Sequence, residues 1–515
     1  MTENLDAGLV VELDDPLPDE LAVGAGTVLF VCGVCFHRAA AIRRLYVILD
    51  GVRQLVDAQR MPRLDLFRSL HPALDPYATA GVAVDPQSPE DPHLHSYRSG
   101  FWSNVVFGPA PDGPRELVLE ADLEGGGIAR RRLAILPAPA QPEPVVAPPP
   151  SPPSSRDAGP LVAIAMAAYE PPPELFRDQI ESIRAQTHGN WLCVISDDCS
   201  SEGRAQEMRA ILGDDERFVI SRAPRRLGFY ENFHRALQLV PAEAAYVALA
   251  DQDDRWYPDK LSTLLGAIGS ARLVYSDARV VQEDGTVISD TYWVNRTHNH
   301  HRLASLLLTN SVTGAASLLD RSVLDYALPF PPPQFVNFHD HWIALVALAL
   351  GDVEFVDRPL YDYVQHGQAT IGHATANQMP RLSSRLPSLL VSPRQRVVHW
   401  RRHYFVDACR LQQWARIVWI RCAASMTEAK RRQLERFLNV ERSVPALADL
   451  WRLGALELLG RGQTLGAEWM LAYAFTWRRL LNASVRERPV RALRLDAVPP
   501  EQFTLMPRRP PARRV

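Results

Sequence analysis

Between Pro137 and Pro160 the chain reads Pro-Ala-Pro-Ala-Gln-Pro-Glu-Pro and then Pro148-Pro-Pro-Ser-Pro-Pro-Ser-Ser. So many fixed φ angles with so few large apolar groups cannot pack a core, so 137–160 reads as an extended, semi-rigid linker. It divides 515 residues, too many for one ordinary core, into parts of different texture. Before it, residues 1–24 are acidic and are expected to be loose. From Thr27 to Leu136 the pattern is strands: Val28–Phe36 and Ile42–Leu49 are apolar runs, and Gly100–Phe107, Leu117–Leu123 and Ile128–Leu136 nearly alternate. Turn signals at Asp50-Gly51 and Pro111-Asp-Gly-Pro114 separate them. The expectation for 25–136 is an antiparallel β-sandwich of immunoglobulin type, a spacer or binding surface that folds independently of 160–515. Arg63-Leu-Asp65 is either a recognition patch or an ordinary ion pair.

After the linker, strands alternate with helices. Leu161–Ala167 is a fully apolar strand, and Pro171-Pro-Pro opens a helix with Leu175, Phe176, Ile180 and Ile183 on one face. Trp191–Ser196 and Phe218–Ser221 are further strands, and Tyr230–Leu239 is helical. Tyr246–Ala250 is a strand that runs into Asp251-Gln252-Asp253-Asp254, with a helix restarting near Pro258. This is an α/β layout with a largely parallel sheet. Three carboxylates in four residues repel unless a cation offsets them. Asp251 and Asp253 sit two apart, so an extended loop can turn both toward a hard ion such as Mg²⁺ or Mn²⁺. The tetrad by itself fits equally a metal–diphosphate site or a solvated turn. Its place at a strand's carboxyl end, shared with Asp197-Asp198, favours the site, because ligands of open α/β sheets bind there.

Net charge is −3, which gives no bulk electrostatic case for nucleic acid. Six cysteines are scattered, and Cys32 and Cys35, three apart on a strand, face opposite sides, so buried free thiols in a reducing cytoplasm are expected. The acidic N-terminus lacks an apolar signal core, and runs such as Ile343–Leu350 fall far short of the ~20 residues that span a bilayer.

Five segments appear in order: Val162-Ala-Ile-Ala-Met-Ala-Ala-Tyr-Glu170, Gln179-Ile-Glu-Ser-Ile-Arg-Ala-Gln-Thr187, Ser196-Asp-Asp-Cys-Ser200, Leu227-Gly-Phe-Tyr-Glu-Asn232 and Ala250-Asp-Gln-Asp-Asp-Arg-Trp256. Val274-Tyr-Ser-Asp277, Val312-Thr-Gly314, His339-Asp-His-Trp342 and Tyr363-Val-Gln-His-Gly367 follow. Over about 160–375 this set resembles the GT-A-fold glycosyltransferases of family 2, in particular the bacterial rhamnosyltransferase-like branch. The sandwich resembles modules that precede such domains in surface-polysaccharide enzymes. The resemblance implies a Rossmann-like catalytic domain over 161–380 and an inverting, metal-dependent transfer from a UDP- or dTDP-sugar, dTDP-rhamnose among them. The acceptor it implies is a surface glycan or lipid-linked glycan at the cytoplasmic side. It implies that Asp198 accepts the imide N–H of the base and that Ala168, Tyr169 and Glu170 line the base pocket. Gly228 and Asn232 would border the nucleotide, with Asp251 and Gln252 at the donor. Asp251, Asp253 and His366 would hold the Mg²⁺ or Mn²⁺, and Asp340 would be the base, its pKa kept low by a helix N-terminus. His339 and His341 are rival bases, and a helix cap is the structural alternative for Asp340. The sequence departs from the family's pattern at Ala168, Glu170 and Val364, where threonine, asparagine and arginine are common.

The region 381–515 reads as helical and basic. Val397, Trp400, Tyr404, Leu411 and Val418 form an amphipathic stripe, and Ser425 and Glu428 have capping-box spacing. A helix over 465–481 carries Trp469, Tyr473 and Trp477 beside Arg478-Arg479, and Arg508–Arg514 ends the chain. Such aromatics with arginines suit peripheral contact with an anionic membrane or packing on the catalytic domain. The rival classes are a sugar nucleotidyltransferase, against which no Gly-rich basic loop follows the first strand, and a non-catalytic glycan-binding scaffold, against which the Asp251, Asp253 and Asp340 set is intact.

Overall fold

A computed structural model describes residues 7–75, 84–109, 113–137, 159–293, 298–366, 393–458, 464 and 466–486. Most of the linker and the C-terminal arginines lie outside the described residues. The N-terminal part forms two four-stranded antiparallel sheets. One has the order β1 (Leu9–Leu13), β2 (Thr27–His37), β6 (Gly100–Phe107), β5 (Ala58–Met61); the other has β4 (Val52–Leu55), β3 (Ile42–Leu49), β7 (Arg115–Leu123), β8 (Ile128–Leu136). Leu29, Val31, Phe101 and Val105 of the first sheet meet Leu45, Val47, Leu117 and Leu119 of the second in one core. Within the loose segment expected over 1–24, the described residues from 7 onward are ordered. Leu9–Leu13 pairs with β2, and Leu21 and Val23 are buried, because this acidic stretch carries enough apolar side chains to close the sandwich edge. Arg63 pairs with Asp65 at 2.6 Å and with Asp14 at 2.9 Å, the ordinary ion pair of the two readings.

Strand β2 is buried along its whole length. Leu29, Val31 and Cys35 point into the sandwich, whereas Val28, Phe30 and Cys32 belong to the core that continues into the rest of the chain. Both cysteines are free and on opposite faces, as their spacing implied. Covering on two sides explains why Val28–Phe36 fails to alternate. The expected independence of the sandwich is therefore corrected: its outer face is an internal interface. The side-chain amide of Gln334 pairs with Phe30 like a neighbouring strand, accepting from its N–H at 2.8 Å and donating to its carbonyl at 2.6 Å. Arg416 forks onto Asp57 at 2.9 and 2.8 Å, and Arg421 donates to the Gly26 carbonyl at 2.7 Å.

The central sheet has the order β11 (Phe218–Arg222), β10 (Trp191–Asp197), β9 (Val162–Ala168), β12 (Tyr246–Asp251), β16 (Ser317–Asp320), β14 (Leu273–Gln282), β17 (Val353–Gln365), β13 (Arg255–Trp256), with β15 (Val287–Ser289) on β14. The first four strands are parallel. β16 then runs antiparallel to both β12 and β14, so the sheet is mixed rather than largely parallel. The chain leaves β9 toward β10 on one side and returns through β12 on the other. The carboxyl ends of β9 and β12 thus form a topological switch point, where such sheets open a crevice.

Five helices follow among the described residues, and one of them, Cys409–Cys422, packs on β2. Pro393–His403 (α9) passes through a π turn at Tyr404–Ala408 into Cys409–Cys422 (α10); Glu428–Leu438 (α11), Val444–Leu458 (α12) and Ala467–Arg486 (α13) follow. The cap of α11 is Thr427, whose hydroxyl accepts from the Lys430 N–H, not Ser425: the backbone turns two residues later than the capping-box spacing suggested. Tyr404, Leu411 and Val418 of the predicted stripe are buried. Phe475 and Trp477 are interior, and buried Arg478 sits 4.9 Å over the Trp102 ring and donates to the Asp57 carbonyl. The aromatic–arginine pattern of α13 is thus used in packing: its rings meet Trp400, Tyr404, Phe437 and Trp451 of the neighbouring helices, while Arg478 reaches the sandwich. No helix among the described residues is long and apolar enough to cross a membrane.

Candidate active site

At the switch point, Gln252 clasps the end of β9. Its carbonyl accepts from the Tyr169 N–H at 2.7 Å and its amide donates to the Tyr169 carbonyl at 3.2 Å. The next residue, Glu170, has φ +44°, left-handed backbone that a β-carbon disfavours. Hydrogen bonds hold it there: its N–H donates to Ser200 Oγ at 2.9 Å and its carboxylate accepts from the Ser201 N–H. Ala168 is buried, and Tyr169 is half-exposed with the Arg226 guanidinium 4.1 Å from its ring centre. Of these three, Tyr169 presents a ring to a ligand, while Ala168 and Glu170 shape the wall by backbone.

Asp198 is buried, and its carboxylate accepts from the N–H groups of Leu227 and Gly228. Gly228 has φ +89° and opens the helix Phe229–Gln238 (α4), so this turn needs a residue without a β-carbon. Asn232, expected to border a nucleotide, is buried with its amide spent inside the protein. It donates to the carbonyls of Ala168 and Ser196 at 3.2 and 3.0 Å and accepts from the Ser196 hydroxyl at 2.7 Å. It fixes the ends of β9 and β10 from behind and is corrected to a positioning role.

The tetrad splits in two directions. Asp253 faces outward to His366, Oδ2 to Nε2 at 2.8 Å, and this contact raises the histidine's pKa. Asp254 turns inward beside Lys260, both fully buried. Burial, then Asp251 and Asp253, push the Asp254 carboxyl well up, while burial drives the Lys260 ammonium well down against the pull of Asp254 and Asp251. Lys260 donates to the Ala315 carbonyl at 2.5 Å and lies 3.7 Å from the Trp256 ring centre. Sequence reading missed this lysine. The signal was there: Lys260, Leu261, Leu264 and Ile268 share the buried face of the helix Lys260–Ile268 (α5). Asp251, the last residue of β12, is raised to about 7 by burial and by the charges of Asp253 and Asp340. Among the described residues no group of three ligand side chains forms, so the expected trio of Asp251, Asp253 and His366 does not close; Asp253 and His366 meet, and Asp251 feels the charge of Asp253 first and then of Asp340.

A stability consequence follows from Asp251. Its folded pKa lies above the ordinary carboxyl value near 3.9, so the folded state holds the extra proton between about pH 4 and 7. Its contribution is fully present below pH 4 and is lost as pH rises through 7. The ion-free protein is expected to melt lower at pH 7.5 than at pH 5, with part of that slope absent in Asp251→Asn. An equal slope in the variant, measured by scanning calorimetry, overturns the assignment.

Asp340 lies in the first turn of the helix His339–Leu350 (α8), whose N-cap position is Phe338. Its Oδ1 accepts from the His341 N–H at 2.6 Å. The expectation of a low pKa is corrected. Burial raises it to about 6, outweighing the bonds from the His341 and Gly314 backbones and the Asn310 side chain. The rival bases are spent on packing. His339 is half-buried, stacked 3.6 Å from the Phe233 ring centre and pushed down to about 3, while His341 Nε2 meets the Leu306 carbonyl at 2.6 Å.

Comparisons with known proteins agree with this geometry. The profile of the family described as Glycosyl transferase family 2 matches residues 163–327, a span that holds β9, Asp198, the Gly228 turn and the tetrad but stops before Asp340 and His366. An uncharacterized protein of Sinorhizobium fredii, y4gI, is 34% identical over 134 residues, 25% of this chain and 14% of that protein. A Bacillus subtilis protein provisionally named the teichuronic acid biosynthesis glycosyltransferase TuaG is 29% identical over 129 residues, 25% of this chain and 50% of that protein. The chain thus spans half the length or less of these relatives. Among solved structures, TarS 1–349 of S. aureus, in complex with UDP-GlcNAc, is 12% identical with a TM-score of 0.38, over 64% of this chain and 92% of that one. With the switch-point crevice, its acidic cluster and the profile match in agreement, residues 163–327 are a glycosyltransferase family 2 domain.

Proposed function

We propose that this chain is an inverting, metal-dependent glycosyltransferase that moves a sugar from a UDP- or dTDP-sugar, dTDP-rhamnose being one candidate, to a surface-glycan acceptor. The acceptor fits a lipid-linked glycan at the inner face of the cytoplasmic membrane, in line with the polysaccharide names of the relatives. One observation carries the reading: Asp251 feels the charge of both Asp253 and Asp340, so a metal-binding type of carboxylate and a base with a pKa near neutrality share one crevice. A Mg²⁺ or Mn²⁺ ion takes one or two protein carboxylates and fills its shell with phosphate oxygens and water. Asp253 with His366 supplies such an incomplete set, and they are the residues that would hold the ion. When bound, the ion offsets charge developing on the departing diphosphate.

The remaining steps belong to the chain's own groups. Asp198 fixes the Leu227–Gly228 turn, and an ionised carboxylate has lone pairs left for the imide N–H of a pyrimidine base. Tyr169, backed by Arg226, offers a face for that base. Asp340 removes the proton of the incoming hydroxyl on the side opposite the diphosphate, as a single displacement with inversion requires. Asp253→Ala is expected to fold and to lose Mn²⁺-dependent nucleotide binding. Titration calorimetry with UDP and dTDP tests this, and unchanged Mn²⁺-dependent affinity in the variant removes Asp253 from the role.

A further inference from the structure

Outside that crevice, one helix carries a second set of metal-ligating groups. His399, His403 and Asp407 stand four residues apart, so they line one face of α9 and the π turn that follows. The Nε2 atoms of His399 and His403 are 2.9 Å apart. His403 Nδ1 lies 2.6 Å from Asp407 Oδ2. An ionised carboxylate only accepts, so Nδ1 of His403 carries the proton and donates. The lone pair of a neutral His403 is then on Nε2, aimed at His399. His399 is exposed and His403 and Asp407 are partly so, which leaves room for water to complete a coordination shell.

We propose that His399 and His403 form a two-imidazole site for a divalent ion of the nickel, copper and zinc group, with Asp407 as the carboxylate that orients His403. Imidazole nitrogens suit these ions, whereas the carboxylate-rich crevice suits Mg²⁺ and Mn²⁺. A ligand histidine commonly donates its other ring N–H to a carboxylate, which fixes the tautomer. Without metal, Nε2–H of His399 donates to Nε2 of His403. With metal, that proton moves to Nδ1 of His399, so both Nε2 atoms coordinate and no net proton is released. A π turn inside a helix frequently marks a functional position, and this one begins directly after His403. Tyr404 and Phe405 in it meet Trp102 of the sandwich edge to face, with ring centres 5.8 and 5.0 Å apart, so an ion here clips the helix next to the sandwich contact.

The test uses the full chain in the Asp253→Ala, His366→Ala background, which removes the other metal-binding pair. Calorimetry with Zn²⁺ and Ni²⁺ is expected to show one site per chain and a thermal midpoint that rises with metal concentration. His399→Ala is expected to abolish both. Asp407→Asn is expected to weaken binding by about 10–100-fold while leaving the metal-free midpoint little changed. Binding that survives His399→Ala overturns the site. Binding lost in His399→Ala but unchanged in Asp407→Asn reduces it to an adventitious surface pair and overturns the built-site reading. The metal arms do not use donor or acceptor, so their failure leaves the proposed transferase function standing.

Discussion

Asp340→Asn is expected to lower turnover by about 10²–10⁴-fold, the usual worth of a positioned general base. Asparagine keeps the shape and the acceptor oxygen that takes the His341 N–H at 2.6 Å, so the first turn of α8 survives. What it loses is the ability to bind a proton. The pH dependence sharpens the test. With its pKa raised to about 6 by burial, Asp340 is ionised and competent above that value and protonated below it. Turnover of the wild type should therefore rise with pH through about 6, and the residual turnover of Asp340→Asn should lack that limb. Donor affinity and thermal midpoint should change little. Because burial rather than the helix end sets the pKa, the carboxylate is a stronger base near neutrality than a surface aspartate. Near-wild-type turnover of the variant, or a retained acid limb, removes Asp340 as the base. His339 does not replace it, since an imidazole pushed down to about 3 and stacked on Phe233 is a poor proton acceptor.

Sequence periodicity located β9, β10, β11 and β12 to within a residue or two, because β9, β10 and β12 are apolar nearly throughout and end abruptly in polar residues, but it did not pick out β13 to β17. The acidic tetrad was legible as a site for the same reason: its position at a strand end needs only local pattern. What pattern could not supply was direction. Asp251, Asp253 and Asp254 are equivalent in the text of the sequence, yet Asp253 meets His366, Asp254 is buried, and Asp251 ends the strand within reach of the charges of Asp253 and Asp340. Asn232 was misread for a related reason. A polar residue in a motif can serve a ligand or tie two strands together, and only burial separates these. The low pKa expected for Asp340 weighed the helix dipole, a surface-scale effect, and had no means of weighing its burial. The sandwich was read as separate because the proline tract suggests separation, while the contrary signal, an eleven-residue strand without alternation, was already present in Thr27–His37.

That same strand and its neighbours set the second large effect: Asp57→Ala is expected to destabilise the whole chain by about 1.5–3 kcal/mol, the usual worth of hydrogen bonds to a charged group, here in a partly buried pair. Asp57 receives both arms of the Arg416 fork at 2.9 and 2.8 Å and also takes the Asn104 N–H at 2.8 Å. Arg416 reaches from α10 to the sandwich, partly buried, and also donates to the Asn104 carbonyl at 3.0 Å. Removing the carboxylate leaves that guanidinium charged where water reaches it poorly, since arginine does not deprotonate in proteins. The paired change Asp57→Leu with Arg416→Met should cost much less, because apolar groups of similar volume can fill a buried pair's place. Urea denaturation followed by tryptophan fluorescence separates the cases. Trp102, edge-on to Tyr404 and Phe405 at this junction, is one of the reporters. If the junction holds the sandwich to the catalytic part, one transition covers both in the wild type, and Asp57→Ala moves it to lower urea as a whole. Two separate transitions in the wild type, with only the first moved by the variant, would mean that the sandwich folds independently after all and that its buried outer face contributes little to the stability of the catalytic domain.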